Sequence, residues 1–236
     1  MPRHGFGGLL TDLEWDRLTL SIPRMPFVPG QTLLRQGETG SGVHLILSGR
    51  ARVETTRTDG TSVPLAFRSY GDVLGESVLA GEGRARNATV TAMCEGSTVY
   101  LTAPRFQSRL TELNLVAALW RSVFERQDES DQIRVQQAVL PAERRLPAAL
   151  VHLASMLGEP IPGLLTDRPG VQKEGRLLHI PLPQQEIAAF AGLSRTSVHN
   201  AYTQLKERGL IRTGRQYVAI LDLVGLEALA RGDDRG

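Results

Sequence analysis

Glycine-containing turns divide residues 25–101 into short segments at roughly ten-residue spacing. The turns include "GETGSG", "TDGTS" and "SYGD", and between them lie alternating runs such as "VHLILS" and "SVPLAFR". Alternation of apolar and polar residues is typical of a strand with one buried face, and glycine and aspartate suit the tight turns between strands. Regularly spaced short strands of this kind favour an antiparallel sandwich or barrel. The stretch therefore predicts an antiparallel β-domain.

A long helix is predicted from about residue 111 to residue 140, a stretch that contains neither proline nor glycine. At 1.5 Å per residue it would be about 45 Å long. Five of eight heptad positions along it are apolar; the positions are Val116, Leu119, Val123, Arg126, Ser130, Ile133, Gln137 and Leu140. Such a seam is commonly buried against a second copy of the same helix, which predicts a homodimer. The alternative is a helix packed along its own domain, and the polar seam positions would then set register or meet polar groups.

A helix-turn-helix is predicted in the sequence "QQEIAAFAGLSRTSVHNAYTQLKERGLI", beyond the domain boundary expected at Pro141. The first helix covers residues 184–191, and Gly192 provides the tight turn. Ser194 has the chemistry of an N-cap for the second helix. The second helix places Val198, Tyr202 and Leu205 on its inward face.

A basic surface accompanies this motif. The following sequence, "LIRTGRQYVAIL", predicts two strands joined by a glycine turn, that is, a wing. Residues 184–216 carry two acidic residues and five basic ones, a local net charge of +3; the basic residues are Arg195, Lys206, Arg208, Arg212 and Arg215. Cations on the second helix and the wing are what duplex phosphates require. The segment therefore predicts binding to double-stranded DNA; the alternative is that this helical hairpin is a plain packing unit.

An unusual glycine pattern occurs at residues 75–90, "GESVLAGEGRARNATV". A core strand would not tolerate so many glycines, because each weakens the hydrogen-bonded ladder and packs nothing. The segment is therefore either an exposed loop or a backbone cradle for an anion, with Arg86 ten residues after Glu76. A guanidinium and converging amides are suited to a phosphate.

Several function classes are not expected. The single cysteine, Cys94, excludes an internal disulfide and an all-cysteine metal or iron–sulfur site, and the five histidines are scattered. There is no G-x-S-x-G sequence, no P-loop and no metal-ligand spacing, so an enzyme is not expected. The N-terminus lacks an apolar leader and no apolar run approaches 18 residues, which indicates a cytoplasmic protein with no membrane partner.

The order of β-domain, long helix and winged helix-turn-helix resembles the cyclic AMP receptor protein/FNR (Crp/Fnr) family of bacterial transcription regulators. The resemblance covers nearly the whole chain, and it implies an α+β fold. Residues 1–111 would form an antiparallel β-roll, a jelly roll like those that bind cyclic nucleotides. Residues 112–140 would form the dimerisation helix, and residues 141–236 the winged helix-turn-helix DNA-binding domain.

The resemblance also implies an effector site in the β-roll, at the phosphate-binding cassette of residues 75–87. Glu76 would accept a hydrogen bond from a ribose 2′-hydroxyl, and Arg86 would pair with a cyclic phosphate. The implied ligand-binding residues are Gly75, Glu76, Ser77, Arg86, Asn87 and Ser130. The family's nucleotide binders have Ser or Thr where this chain has Asn87. The candidate effectors are cyclic AMP and cyclic GMP, with no obligatory cofactor; the alternatives are another small molecule or a ligand-independent regulator with a vestigial pocket.

For DNA, the resemblance implies a homodimer on a pseudo-palindromic duplex site. Arg195 would read a guanine, Thr196 would contact a thymine methyl and Asn200 would pair with an adenine edge. The implied contact residues are Gln184, Gln185, Ser194, Arg195, Thr196, Ser197, His199, Asn200, Arg212 and Arg215. Residues 158–175 are a candidate contact for RNA polymerase, or a simple connector.

Overall fold

The computed structural model describes most of the chain; the described residues are 2–56, 58, 60–81, 83–161, 175–179, 184–214 and 217–233. The chain divides into two compact units, Met1–Ser130 and Asp131–Gly236, here called the first and second units.

The first unit contains the predicted antiparallel β-domain. Its strands are β1 (Arg24–Phe27), β2 (Thr32–Leu34), β3 (Gly42–Ser48), β4 (Ala51–Thr56), β5 (Ser62–Arg68), β6 (Val73–Leu74), β7 (Thr89–Ala92) and β8 (Gly96–Thr102). They form two four-stranded sheets in the orders β1-β8-β3-β6 and β2-β7-β4-β5, and all pairings between these strands are antiparallel. The sandwich predicted from the turn spacing is thus confirmed.

Apolar side chains from both sheets join the two layers. Ile46 and Leu74 of one sheet form a buried cluster with Ala51 and Val90 of the other. A larger cluster extends from the first sheet to the short helices α1 (Gly5–Gly8) and α2 (Asp12–Thr19). This core fixes β3 and β6, and the turn after β6 begins the cassette.

The long helix begins later than predicted. Helix α3 (Ala103–Glu112) ends in a Schellman motif, in which Asn114 has φ 57° and donates from its N–H to the carbonyl of Thr111. The N–H of Leu115 reaches the carbonyl of Leu110, and both leucines are buried. Asparagine tolerates this left-handed conformation, so the chain turns here and α4 runs from Val116 to Val139. Its 24 residues give a length of about 36 Å rather than 45 Å.

The second unit contains the predicted helix-turn-helix and wing. Its remaining elements are α5 (Ala142–Leu157), β9 (Glu159–Pro160), β10 (Arg176–His179), α6 (Gln184–Phe190), α7 (Arg195–Glu207), β11 (Ile211–Thr213), β12 (Tyr217–Ile220) and α8 (Leu223–Arg231). The strands form one antiparallel sheet in the order β11-β12-β10-β9. Across the described residues, no helix combines the length and the apolar character needed to cross a bilayer.

The turn chemistry of the motif is as predicted. Gly192 has φ 65°, and its N–H and that of Leu193 close a Schellman motif on α6. The hydroxyl of Ser194 accepts a hydrogen bond from the N–H of Ser197 at 3.1 Å, which caps α7. Val198, Tyr202 and Leu205 are buried, as the inward spacing predicted.

The hydroxyl of Tyr202 has no hydrogen-bond partner among the described residues, although the side chain is only 2% exposed. Burial also raises the pKa of Tyr202. A buried hydroxyl without a partner loses its hydration and gains nothing in exchange. Tyr202→Phe should therefore raise the free energy of unfolding by about 1 kcal/mol in urea titrations. Tyr217→Phe, at a residue that is 36% exposed, is the control and should change it little; destabilisation by Tyr202→Phe would show that the hydroxyl has a partner.

Candidate effector cassette and nucleic-acid interface

The cassette starts with a left-handed glycine after β6. Gly75 has φ 79° and precedes a short 3-10 helix, Glu76–Ala80. At the other end, the N–H of Arg86 donates to the carbonyl of Glu38, and the carbonyl of Arg86 accepts from the N–H of Gly37. The β2–β3 connection therefore holds the backbone of Arg86 in place.

The guanidinium of Arg86 lies inside the β-roll and is tied to two backbone carbonyls. The residue is 6% exposed, and its Nη1 and Nη2 donate to the carbonyls of Gly75 and Gly42 at 2.6 Å each. A Cβ at Gly40 or at Gly75 would overlap this guanidinium. Burial lowers the pKa of Arg86, while Tyr100 and Glu76 act in the opposite direction. The glycines of this region thus make room for an arginine side chain.

Glu76 forms an ion pair with a residue that the sequence analysis placed on the helix seam. Its Oε1 lies 3.3 Å from Nη2 of Arg126 on α4, and the two side chains are 28% and 13% exposed. Nη1 of Arg126 also donates to the carbonyl of Val73 at 3.0 Å. Arg126 was predicted only as a seam position that could meet something polar. No local pattern identifies the partner, because 50 residues separate the two.

The structure therefore brings together Gly75, Glu76 and Arg86 of the predicted ligand set. Ser77 is half-buried in the 3-10 helix, and Ser130 is half-buried on α4, one turn beyond Arg126. Asn87 is exposed beside the buried Arg86. The roles of these residues toward a ligand stay predictions.

His44 and Tyr100 lie near the same guanidinium, and no sequence pattern indicated either residue. The two rings are 5.1 Å apart between centroids, and Nδ1 of His44 lies 3.1 Å from the hydroxyl of Thr98. The Tyr100 hydroxyl lies 2.8 Å from that of Ser41. Burial lowers the pKa of His44 to about 4, and the positive charge of Arg86 adds to the effect.

This depressed pKa predicts a pH dependence of stability. The unfolded chain binds a proton at His44 near pH 6.5, whereas the folded protein binds it only near pH 4. The free energy of unfolding should therefore fall between pH 6.5 and 4, with a His44 contribution of at most about 1.4 kcal/mol per pH unit. Replacing His44 by Gln should remove this contribution in urea titrations across that range. His199→Gln, at an exposed position, should leave the slope unchanged; equal slopes for wild type and His44→Gln would contradict the assignment.

Three positions of the predicted heptad seam of α4 have partners within the chain. Leu119 belongs to the core of the first unit, and Arg126 pairs with Glu76. In the second unit, Nε2 of Gln137 donates to the carbonyl of Phe190 at 2.8 Å. These positions follow the alternative interpretation, a helix packed along its own domain. A different face of α4 is exposed, and it carries Trp120 and Phe124 with exposed fractions of 46% and 65%.

Helix α7 presents a polar face over its apolar one. Arg195, Thr196, His199 and Asn200 are all exposed, and Ser197 is half-buried where it bonds Ser194. Positions 195, 196, 199 and 200 recur at helical spacing, so they lie together on the side opposite the buried residues. These residues belong to the predicted DNA-contact set, and their roles toward DNA stay predictions.

The wing is described in part. Arg212 is exposed on β11, whereas Arg215 lies outside the described residues. The backbones of Gln184 and Gln185 begin α6, and their side chains are also outside the described part. Most of the candidate polymerase contact, residues 158–175, is likewise outside it, and that contact stays a prediction. Within the described ranges, no cluster of His, Cys, Asp or Glu has the arrangement of a metal site.

Two protein families match this chain, one in its N-terminal half and one in its C-terminal half. Residues 24–112 match the cyclic nucleotide-binding domain family, which covers the β-roll. Residues 144–229 match the Crp-like helix-turn-helix domain family, which covers α5 through most of α8.

Relatives align with this chain over nearly its whole length. The cyclic AMP receptor protein of Thermus thermophilus is 27% identical over 232 residues, covering 96% of each chain. The CRP-like cAMP-activated global transcriptional regulator of Mycobacterium tuberculosis is 28% identical, with 91% of each chain covered. The solved structure of FixK2 from Bradyrhizobium japonicum shares the fold, with a TM-score of 0.71 at 16% identity over 88% of this chain and 96% of that one. The chain is therefore a member of the Crp/Fnr family of DNA-binding transcription regulators.

Proposed function

We propose that this regulator reads a pseudo-palindromic DNA site with α7 as a homodimer, and that a small ligand at the cassette controls it. The observation that carries the DNA-reading role is the exposed polar face of α7, which starts at a capped N-terminus and lies above a buried apolar face. A helix of this kind enters the major groove with its N-terminal residues at the base edges. Binding to DNA would place the protein in the cytoplasm.

Two arginines are expected to have different roles. Arg195, at the start of α7, can donate hydrogen bonds to O6 and N7 of guanine. Arg195→Ala should therefore reduce the binding free energy for the preferred site by about 1–3 kcal/mol. Arg212 on the wing is exposed and is expected to contact a phosphate, so Arg212→Ala should weaken binding to all sequences alike and reduce the salt slope by about 1. Fluorescence anisotropy on the preferred and a scrambled duplex, at several salt concentrations, measures both effects. Equal losses on the two duplexes for Arg195→Ala would contradict base reading.

The Glu76–Arg126 ion pair supports ligand control. This pair connects the cassette to α4, and both partners are largely shielded from water. A ligand hydroxyl that bonds Glu76 would compete with Arg126 and alter how α4 is held. Such a ligand acts as a switch only through different affinities for two arrangements of the protein.

The residues present fit a cyclic nucleotide. The guanidinium of Arg86 has five N–H donors, and two of them are bound to the carbonyls of Gly75 and Gly42. Among the described residues this leaves three N–H donors for a phosphate. Glu76 offers an acceptor for a ribose hydroxyl. The two relatives described above carry cyclic AMP in their names, which supports cyclic AMP as the first effector to test.

Calorimetric titration with cyclic AMP and cyclic GMP tests this proposal. Wild-type protein should give saturable heat with one nucleotide, and Glu76→Gln should weaken the binding, since the amide is a poorer acceptor than the carboxylate. Glu38→Gln is the matched control, because Glu38 is exposed and its carboxylate pairs with Arg35 on the surface. Heat that Glu76→Gln leaves unchanged would argue against the cassette, and no heat with either nucleotide would refute cyclic nucleotide control.

One observation favours a second candidate, a regulator that needs no nucleotide. Arg86 and Glu76 already have partners within the chain, and Asn87 replaces the hydroxyl residue expected beside Arg86. In that case the contacts of its own side chains hold the cassette in place without a ligand. Selective DNA binding by nucleotide-free protein, unchanged by added cyclic AMP or cyclic GMP, would support this candidate.

A further inference from the structure

The turn before α7 has two backbone carbonyls that side chains from other helices satisfy. The carbonyl of Phe190 accepts from Nε2 of Gln137 on α4 at 2.8 Å, and that of Gly192 accepts from Nη1 of Arg145 on α5 at 3.1 Å. Carbonyls at a helix C-terminus have no partner within their own helix. Here their partners come from the last turns of α4 and the first turn of α5, all within the second unit.

Arg145 makes a second contact that joins the two regions. Its Nε donates to the carbonyl of Leu140 at 2.8 Å, at the end of α4. A single guanidinium therefore bridges the C-terminus of α4 and the turn that starts α7. A cation is also favoured there, because the C-terminal ends of helices carry partial negative charge.

Gly192 and Gln137 fit each other closely. Gly192 has φ 65°, and a Cβ there would lie 3.2 Å from Cγ of Gln137, so this glycine serves both the turn and the approach of the glutamine. The rings of His152 on α5 and Phe190 lie next to this contact, with centroids 5.8 Å apart. Ser194, which caps α7, is two residues beyond Gly192.

We propose that Gln137 and Arg145 are positioning residues for DNA recognition: they fix the turn before α7 to the C-terminal turns of α4, which belong to the same unit, so that the orientation of α7 follows that of these turns. The proposal rests on the proposed DNA-reading role of α7. Neither residue has to touch DNA for this role. A recognition helix must place its side chains at base edges accurately, whereas phosphate contacts tolerate more freedom. Loosening the turn should therefore reduce selectivity more than overall affinity.

The test compares four variants with wild type on the preferred duplex and on a scrambled one. Gln137→Glu keeps the size of the side chain but replaces its N–H donors by a carboxylate, and Arg145→Ala removes the bridge. Gln132→Ala, exposed on α4, and Arg144→Ala, the neighbouring cation, are the matched controls. Anisotropy gives the affinity ratio of the two duplexes, and circular dichroism with thermal unfolding reports the fold.

The affinity ratio should fall by about tenfold or more for Gln137→Glu and for Arg145→Ala, with helical content unchanged. Arg144→Ala should weaken binding to both duplexes alike, as expected when a cation that does not read bases is lost. Gln132→Ala should leave the affinity for both duplexes unchanged. An unchanged ratio in both test variants, with or without lower thermal stability, would overturn the proposal and leave these contacts as helix caps. Wild-type protein without any preference between duplexes would instead refute the DNA-reading role, and this inference with it.

Discussion

Replacing Trp120 and Phe124 together by glutamate is expected to convert the proposed homodimer into a monomer. The two side chains lie one helical turn apart on α4 and are 46% and 65% exposed, and Val116 one turn earlier is 42% exposed. Large aromatic side chains bury about 150–250 Å² each in an interface, so they would supply much of its free energy. Buried carboxylates without partners would cost several kcal/mol. Sedimentation velocity measures the change of mass.

Loss of the dimer should also be visible on DNA. A monomer reaches one half-site, so affinity for a two-half-site duplex should fall by about 100-fold or more. Leu65→Glu is the matched control, because Leu65 is an apolar residue that is 45% exposed and belongs to β5 rather than to α4. A double variant that remains dimeric would show that another surface joins the protomers.

The second large effect is expected at Arg86, in the absence of any ligand. Arg86→Ala removes a buried guanidinium and leaves the carbonyls of Gly75 and Gly42 without their donors. Hydrogen bonds from charged groups contribute about 1.5–3 kcal/mol each, so we expect a loss of about 3 kcal/mol in the free energy of unfolding, because burying the charge offsets part of the gain. Urea titration of the nucleotide-free protein measures it.

Arg84→Ala is the control for this variant. Arg84 lies in the same segment but is exposed, so its loss should change stability by less than about 0.5 kcal/mol. Equal midpoints for Arg86→Ala and wild type would show that the two carbonyl contacts contribute nothing. Because of this structural role, loss of nucleotide binding in Arg86→Ala would not by itself identify a phosphate contact, and Glu76→Gln is the cleaner probe of the cassette.

Features set by local chemistry could be predicted from the sequence. Ser194 and Gly192 were predicted as cap and turn because few residues can serve at these positions, and α6 ends and α7 begins accordingly. The glycine-punctuated strands were predictable for the same reason. Asn114 has the same kind of signal, since asparagine tolerates the left-handed conformation, but it lies within a continuous helical pattern. The predicted helix therefore ran through it.

Contacts between distant segments could not be predicted. The carbonyl of Gly42 is 44 residues from Arg86 and is a backbone group, so no residue type indicates it. The partner of Glu76 could have been any cation of the chain. The heptad positions on α4 show that a helical stripe identifies a buried face but not what covers it, since Leu119 packs into the core of its own unit. His44 occupies an ordinary polar position of an alternating strand.

The most direct test of the account is selection from a library of randomised duplexes by the purified full-length protein, with and without cyclic AMP, followed by sequencing. We expect enrichment of a two-fold symmetric motif with half-sites one helical turn apart, which is the spacing that a dimer with two recognition helices requires. Enrichment that requires cyclic AMP would support ligand control. Enrichment without the nucleotide would support the ligand-independent candidate. No enriched motif under either condition would contradict sequence-specific DNA binding by α7.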